Sequence, residues 1–139
     1  MPTYKYPRPA YTVDIIIIQL EKILLIKRGH PPYLGKWALP GGFMDMEETP
    51  EQAAIRELEE ETSVKVKSLE QFKTYGAIDR DPRHRTISTV YYAVLDDKLN
   101  IIPKAGDDAT EAEWFSLDNL PELAFDHTEI LEEFKEFIG

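Results

Sequence analysis

Three glutamates stand close together in a stretch of the chain that favours a helix, residues 50–62. They are Glu57, Glu60 and Glu61. At 3.6 residues per turn, their carboxylates share about 100° of the helix surface, directly beside its apolar face. Exposed like charges at this spacing repel by about 0.2–0.5 kcal/mol per pair, and a divalent cation would reverse the sign of that interaction. Carboxylate oxygens at this density suit Mg²⁺ or Mn²⁺.

The residues around the glutamates add to this pattern. On carboxylate spacing alone, a solvated glutamate-rich helix is the more frequent interpretation. Pro40-Gly41-Gly42, however, lets backbone approach a ligand closely, so a glycine carbonyl there is a candidate for the metal shell. Arg56 can reach a carboxylate one turn away and orient it. The segment therefore combines several features of a metal-binding site.

The segment also resembles the signature of the Nudix hydrolases. Residues 42–64 read GFMDMEETPEQAAIRELEEETSV, in which a glycine, five residues, Glu48 and seven further residues lead to Arg56-Glu57-Leu58-x-Glu60-Glu61. One constrained position departs from the signature, because the glycine near its end is Ser63 here. Such a glycine suits a C-cap with positive φ, so we expect Ser63 to cost some stability or to shift the helix end, without removing a ligand.

The resemblance extends beyond this box and covers most of residues 12–131. WALPGGF leads into it, and GAIDRDPRHRTISTVYYAVL and GDDATEAEWFSLDNLPELAFDHTEIL are similar to the bacterial ADP-ribose pyrophosphatase branch. The resemblance implies the Nudix fold, an α/β/α sandwich of the α+β class with a mixed β-sheet between helices. It also implies metal-dependent attack of water on the pyrophosphate of a nucleoside diphosphate joined to another group.

The resemblance implies a role for each residue of the box. The metal ligands would be the Gly41 carbonyl, Glu57, Glu60 and Glu61, and Glu48 and Arg56 would position them. The general base would be one glutamate of the cluster or an acid of the 107–111 loop, and the sequence does not decide between them.

Cationic residues are needed to hold an anionic substrate on a chain of net charge −10. Arginine is favoured, since its fork matches phosphate oxygens. The candidates for phosphate and ribose contacts are Arg28, Lys36, Arg80, Arg83 and Arg85. For each residue taken alone, a surface role is an equal alternative. For the arginines of residues 80–85 a binding role is favoured, because their segment is similar to the ADP-ribose pyrophosphatase branch. Glu111 is a candidate for binding base or metal.

Aromatic rings that could stack on adenine are Tyr33, Phe43, Tyr75, Tyr91, Tyr92 and Trp114. We expect most of them in the core, with Tyr91 and Tyr92 on opposite sides of one strand. His30, His84 and His127 show no ligand pairing and are interpreted as loop and helix-start residues.

Three functions follow from the resemblance. The preferred one is hydrolysis of ADP-ribose to AMP and ribose 5-phosphate. A pyrophosphohydrolase of canonical or oxidised nucleoside triphosphates is the alternative, because the box handles only the diphosphate. A non-catalytic ADP-ribose sensor is less favoured, because such a protein needs a DNA-reading domain and this chain ends at Gly139.

The elements that position these residues follow from patterning. Strands are predicted at residues 13–20, 23–27, 37–39, 64–67, 69–75, 86–95 and 113–116. Thr49 and Gln52 form a predicted capping box for a helix over residues 50–62. A second helix is predicted from about His127 to Ile138, capped by Asp126. This order predicts an α+β or α/β sandwich in a single domain, residues 1–139.

Composition excludes several classes of protein. The 139 residues contain no cysteine, which rules out a disulfide scaffold, a thiol nucleophile and cysteine-ligated metal sites. The acidic balance argues against nucleic-acid or anionic-membrane partners. No signal peptide or spanning segment is apparent, so a cytoplasmic location is expected. Relatives are often dimers, so a homodimer is one expectation, but the sequence shows no interface.

Overall fold

The computed structural model describes residues 5–106 and 108–139. Within them, seven strands form one sheet and two helices cover it. The strands are β1 (Ala10–Gln19), β2 (Lys22–Arg28), β3 (Trp37–Ala38), β4 (Gly41–Phe43), β5 (Glu70–Tyr75), β6 (Thr86–Val94) and β7 (Ala109–Ser116). The helices are α1 (Pro50–Thr62) and α2 (His127–Ile138). No helix in the described ranges is long and apolar enough to cross a membrane.

The sheet is mixed. Its strand order is β3-β2-β1-β6-β5, while β4 pairs with β1 and β7 pairs with β2. The central strands β1 and β6 run parallel, and the other pairings are antiparallel. The predicted mixed sheet between helices is thereby confirmed.

Strand β1 supplies both hydrophobic layers, because successive side chains of a strand point to opposite faces. Ile15 and Ile17 pack with α1 through Leu58, while Ile16 packs with α2 through Phe134. All five of these side chains are fully buried. Complete burial of a side chain of this size contributes about 1.5–3 kcal/mol relative to exposure, so the two layers hold both helices against the sheet. Tyr91 and Tyr92 divide between the same two layers, as predicted.

Helix α1 begins and ends where the sequence predicts. The Thr49 side chain accepts a hydrogen bond from the Gln52 N–H at 3.2 Å, and the Gln52 side chain accepts one from the Thr49 N–H at 2.9 Å. Pro50 occupies the first turn, where it needs no intrahelical donor. The capping box therefore fixes the register of the helix and of the glutamates on it.

Ser63 ends α1 in the left-handed conformation, with φ 64° and ψ 13°. We expect Ser63→Gly to raise the free energy of unfolding by about 0.5–1 kcal/mol, because glycine adopts positive φ without a Cβ penalty. Urea unfolding measures this change. Ser63→Ala is the control, since it keeps the Cβ and removes only the hydroxyl that donates to the Lys104 carbonyl. An unchanged or lower value for Ser63→Gly would contradict the prediction.

Two predictions about local structure are wrong. Residues 64–67 form no strand, because Val64 packs into the core beside α1 and this segment has no strand neighbour to pair with. The Asp126 side chain does not cap α2, although Asp126 precedes the helix. Its carboxylate instead accepts two hydrogen bonds from Arg80, at 2.9 and 2.8 Å.

One strand of the sheet was not predicted, and another is longer than predicted. Residues 41–43, for which no strand was predicted, form β4 against β1, with Gly41 opposite Asp14. Strand β7 begins at Ala109, earlier than the predicted residues 113–116, because its first half pairs with the end of β2. The β4 pairing places Gly41 and Asp14 together in the lining of one cavity.

Candidate active site

A cavity of about 640 Å³ opens where β1, β2, β4, α1 and the start of α2 meet. Its lining includes Asp14, Arg28, Gly41, Gly42, Phe43, Arg56, Glu57, Glu60, Glu61, Arg80, Asp81, Arg83, Asp108, Phe125 and His127. The structure thus brings the glutamates, the glycine turn and three of the predicted substrate-binding arginines to one place.

The two glycines of β4 let the backbone pass between the buried carboxylates. The Gly41 N–H donates to Glu61 Oε1 at 2.8 Å. A Cβ on Gly41 would overlap the Val13 carbonyl oxygen, and a Cβ on Gly42 would overlap the Glu57 carboxylate. Close approach of this kind is why glycine is required at both positions.

We expect Gly42→Ala to lower kcat/KM on the order of 10–100-fold while leaving most of the stability intact. The new methyl group would displace the far end of the Glu57 side chain, and small misplacements of catalytic groups carry penalties of this size. Steady-state kinetics and thermal unfolding measure the two effects. Gly76→Ala is the control, because its nearest neighbours would be 3.8 Å away or more. Full activity of Gly42→Ala would contradict this account of the turn.

Arg56 joins the carboxylates of the box. It donates to Glu48 at 2.6 and 3.0 Å, to Glu57 Oε1 at 2.7 Å, to Glu60 Oε1 at 3.1 Å and to the Phe43 carbonyl at 3.1 Å. The hydrogen bond from Arg56 holds the pKa of Glu48 below its usual value, and the hydrogen bond to Glu48 contributes most to raising the pKa of Arg56. Such charge-assisted, forked contacts fix orientation.

The three glutamates differ in burial. Glu57 and Glu61 are buried, whereas Glu60 is exposed. Burial, together with the charges of Glu57, Asp14 and Asp108, raises the pKa of Glu61 to about 8 against the opposing hydrogen bond from Gly41. The raised pKa of Glu61 indicates that protein groups do not fully offset the negative charge of the neighbouring carboxylates. A hard divalent cation would offset it, so the donor set fits such an ion.

Arg56 holds Glu57 and Glu60, whereas Glu61 is held by the Gly41 N–H. Among the described residues, no group of three acidic or histidine side chains is arranged as a metal shell. One Arg56 nitrogen, Nη1, donates to both Glu57 and Glu60.

The predicted substrate-binding residues separate into two groups. Arg28, Arg80 and Arg83 line the cavity, and Lys36, Arg85 and Glu111 do not. Lys36 pairs with Glu122 at 2.5 Å, Glu111 pairs with Lys27 at 3.3 Å, and Arg85 donates to the Ala77 carbonyl at 3.4 Å. Of the 107–111 loop, Asp108 reaches the cavity and pairs with His30 at 3.2 Å, while Asp107 lies outside the described residues.

Asp14 and His127 line the cavity and make buried polar contacts that the sequence analysis did not predict. His127 Nδ1 accepts a hydrogen bond from the Leu39 N–H at 3.0 Å, which leaves the proton on Nε2, 3.6 Å from Asp14. Burial lowers the pKa of His127, so the ring is neutral at pH 7. Asp14 also accepts from Ser88 at 2.6 Å. The sequence does contain one indication of these contacts, because Asp14 is a charged residue within the apolar run of β1, and a buried charge needs polar partners.

Most of the aromatic candidates lie in or against the core, as expected. Tyr75, Tyr91, Tyr92 and Trp114 pack in or against the core. Phe43 lines the cavity, and so does Phe125, which the sequence analysis missed. The Phe125 ring lies against the guanidinium groups of Arg28 and Arg83. Nothing in the local pattern of residues 124–127 sets it apart from a core phenylalanine.

Comparison with known families decides the classification, because residues 8–134 match the NUDIX domain. This chain belongs to the Nudix family. The Nudix hydrolase is 51% identical over 132 residues to an ADP-ribose pyrophosphatase of Methanocaldococcus jannaschii, covering 93% of this chain and 75% of that relative. It is 35% identical over 136 residues to the ADPR responsive transcriptional repressor NtrR of Acinetobacter baylyi, covering 92% of this chain and 54% of the repressor.

Solved structures of other Nudix proteins share the fold. The NUDIX domain of Shewanella oneidensis NrtR complexed with ADP ribose superposes with a TM-score of 0.89 at 30% identity, covering 96% of this Nudix chain and 91% of that one. A bifunctional NMN adenylyltransferase/ADP ribose pyrophosphatase of Francisella tularensis, complexed with AMP and a Mn ion, superposes with a TM-score of 0.87 at 33% identity. The match covers 98% of this chain and 44% of that one.

Proposed function

We propose that this Nudix hydrolase cleaves the pyrophosphate bond of ADP-ribose, releasing AMP and ribose 5-phosphate, with Mg²⁺ or Mn²⁺ as cofactor. The observation that carries the proposal is that the three glutamates of α1 line one cavity with Arg28 and Arg83. The similarity to a named ADP-ribose pyrophosphatase and to a domain complexed with ADP ribose supports the choice of substrate.

In the proposed site, the Gly41 carbonyl, Glu57, Glu60 and Glu61 hold the metal. A bound divalent cation supplies an activated water and offsets charge on the phosphoryl oxygens. Arg56, itself fixed by Glu48, positions the Glu57 and Glu60 side chains. The proton acceptor for the attacking water is a carboxylate of this cluster or Asp108, which lines the same cavity.

The direct test is incubation of the protein with ADP-ribose and Mg²⁺, with AMP and ribose 5-phosphate measured as products. Turnover that EDTA abolishes, and that Mg²⁺ or Mn²⁺ restores, supports the proposal. Turnover no higher than that of the Glu60→Gln, Glu61→Gln variant would refute it. A panel of nucleotide substrates ranked by kcat/KM tests the triphosphate alternative, which any triphosphate preferred over ADP-ribose would favour.

A sensing function is the second candidate, because the chain is similar to a repressor described as ADPR responsive and to the NUDIX domain of Shewanella oneidensis NrtR complexed with ADP ribose. The chain matches about half of that repressor's length. Tight ADP-ribose binding without metal-dependent turnover would favour sensing over catalysis.

The remaining expectations complete the proposal. We propose a cytoplasmic single-domain protein that does not bind nucleic acid, consistent with the absence of cysteine and the net charge of −10. A homodimer is proposed by analogy with relatives, and its mass in solution tests it.

A further inference from the structure

Four arginines line the cavity among the described residues, and three of them are already paired with protein carboxylates. Arg56 is paired with Glu48 and with two glutamates of α1. Arg80 makes a two-pronged contact with Asp126, at 2.9 and 2.8 Å. Arg83 makes a similar contact with Asp81, at 3.1 and 2.7 Å. These pairs hold the walls of the cavity and offset much of their own charge.

Arg28 differs from the other three. Its Nε donates to the Pro32 carbonyl at 2.7 Å, and its guanidinium lies over the Phe125 ring, 5.0 Å from the centroid. Within the described part of the chain, no carboxylate lies within ion-pair distance of it, and its remaining N–H groups have no hydrogen-bond acceptor. Its burial and the nearby charge of Arg83 lower the pKa of Arg28. Arg28, which lines the cavity, therefore has N–H donors that no described residue accepts.

The position of Arg28 on β2 places it in the cavity wall. Ile26 and Arg28 both line the cavity, whereas Lys27 between them pairs with Glu111. Phe125 contacts two cations, because the Arg83 guanidinium lies 5.8 Å from the centroid of the same ring. Phe125 and the Pro32 carbonyl together fix the plane of the Arg28 guanidinium.

We propose that Arg28 binds a phosphoryl group of the substrate and that Phe125 is the residue that positions it. This inference rests on the proposed function and deepens it, since it assigns one of several candidate arginines to the ligand. A fixed guanidinium whose remaining N–H groups are not accepted by any described residue matches two oxygens of a phosphate. A half-buried cation that pairs with no described carboxylate gains most from an anionic ligand.

The test compares Arg28→Gln with the control Lys27→Gln, its neighbour on the same strand. We expect Arg28→Gln to lower kcat/KM for ADP-ribose on the order of 10–100-fold, mainly through KM, and Lys27→Gln to stay within about two-fold of the wild type. Arg28→Lys restores only part of the loss, because lysine lacks both the fork and the Nε contact with Pro32.

Inhibition by two simple ligands identifies the group that Arg28 contacts. For Arg28→Gln we expect a raised inhibition constant for inorganic pyrophosphate and an unchanged one for adenosine. Phe125→Leu is expected to raise KM about two- to five-fold, with Phe125→Tyr close to the wild type. Wild-type kinetics in Arg28→Gln, or an equal loss of adenosine inhibition, would overturn the proposal.

The same variants separate this inference from the proposed function. ADP-ribose affinity is measured by calorimetry without turnover, in EDTA. If the wild type binds ADP-ribose through Arg28 but does not cleave it, the inference stands and the proposed hydrolysis fails. If it cleaves ADP-ribose and Arg28→Gln binds it equally well, the inference fails and the hydrolysis stands. Failure of the wild type both to bind and to cleave refutes both.

Discussion

Replacing Glu60 and Glu61 by glutamine is expected to lower kcat/KM for ADP-ribose on the order of 10²–10⁴-fold, a loss of several kcal/mol of transition-state stabilisation. Glutamine keeps the size and one oxygen of each side chain but removes the charge that holds a divalent cation. Initial rates across a range of Mg²⁺ and Mn²⁺ concentrations measure the effect. Glu59→Gln is the matched control, because Glu59 lies on the same helix, is exposed and pairs only loosely with Lys65 at 3.7 Å.

Stability gives a second readout for the same variant. The folded-state pKa of Glu61 is raised to about 8 from an ordinary value of 4.5, so in the absence of metal its ionisation costs stability as the pH rises from about 4.5 toward 8. Glutamine removes that cost. We therefore expect the thermal unfolding midpoint of the Glu60→Gln, Glu61→Gln variant, measured at pH 8 in EDTA, to be no lower than that of the wild type. A variant that is unfolded, or one that retains full metal-dependent activity, would contradict our description of this cluster.

Replacing Arg56 by glutamine is expected to lower activity or metal affinity about 10–100-fold, the usual penalty for removing a residue that orients metal ligands. Arg56 holds Glu48, Glu57 and Glu60 simultaneously, and without it their carboxylates repel one another. The half-saturating Mn²⁺ concentration and kcat measure the effect.

Two further variants show whether the fork or only the charge of Arg56 matters. Arg56→Lys keeps the charge but cannot contact Glu48 through two nitrogens, so we expect it to recover only part of the activity. Arg85→Gln controls for loss of a positive charge, because Arg85 is exposed and lies outside the cavity lining. Wild-type behaviour of Arg56→Lys would show that charge alone is sufficient.

The elements that follow from local sequence were predicted well. Helix α1 has the predicted bounds, since its capping box, first-turn proline and helical spacing all lie within residues 49–62. The three glutamates accordingly share one face, and Glu57 and Glu60 both reach Arg56. The failed strand at residues 64–67 shows the limit of such patterns, because alternation predicts a strand only where a neighbour is available for pairing.

The residues that complete the cavity depend on contacts between distant parts of the chain. Asp14 meets Ser88 across 74 residues, and Leu39 meets His127 across 88. The residues around Arg28, Arg80 and Arg83 in the sequence do not show which of these arginines pairs with a carboxylate. Only after the strands pair does Asp126 accept hydrogen bonds from Arg80, while Arg28, beside Phe125, pairs with no carboxylate among the described residues. Periodicity and capping act within a few residues, whereas charge pairing in the cavity is set by which strands and loops become neighbours.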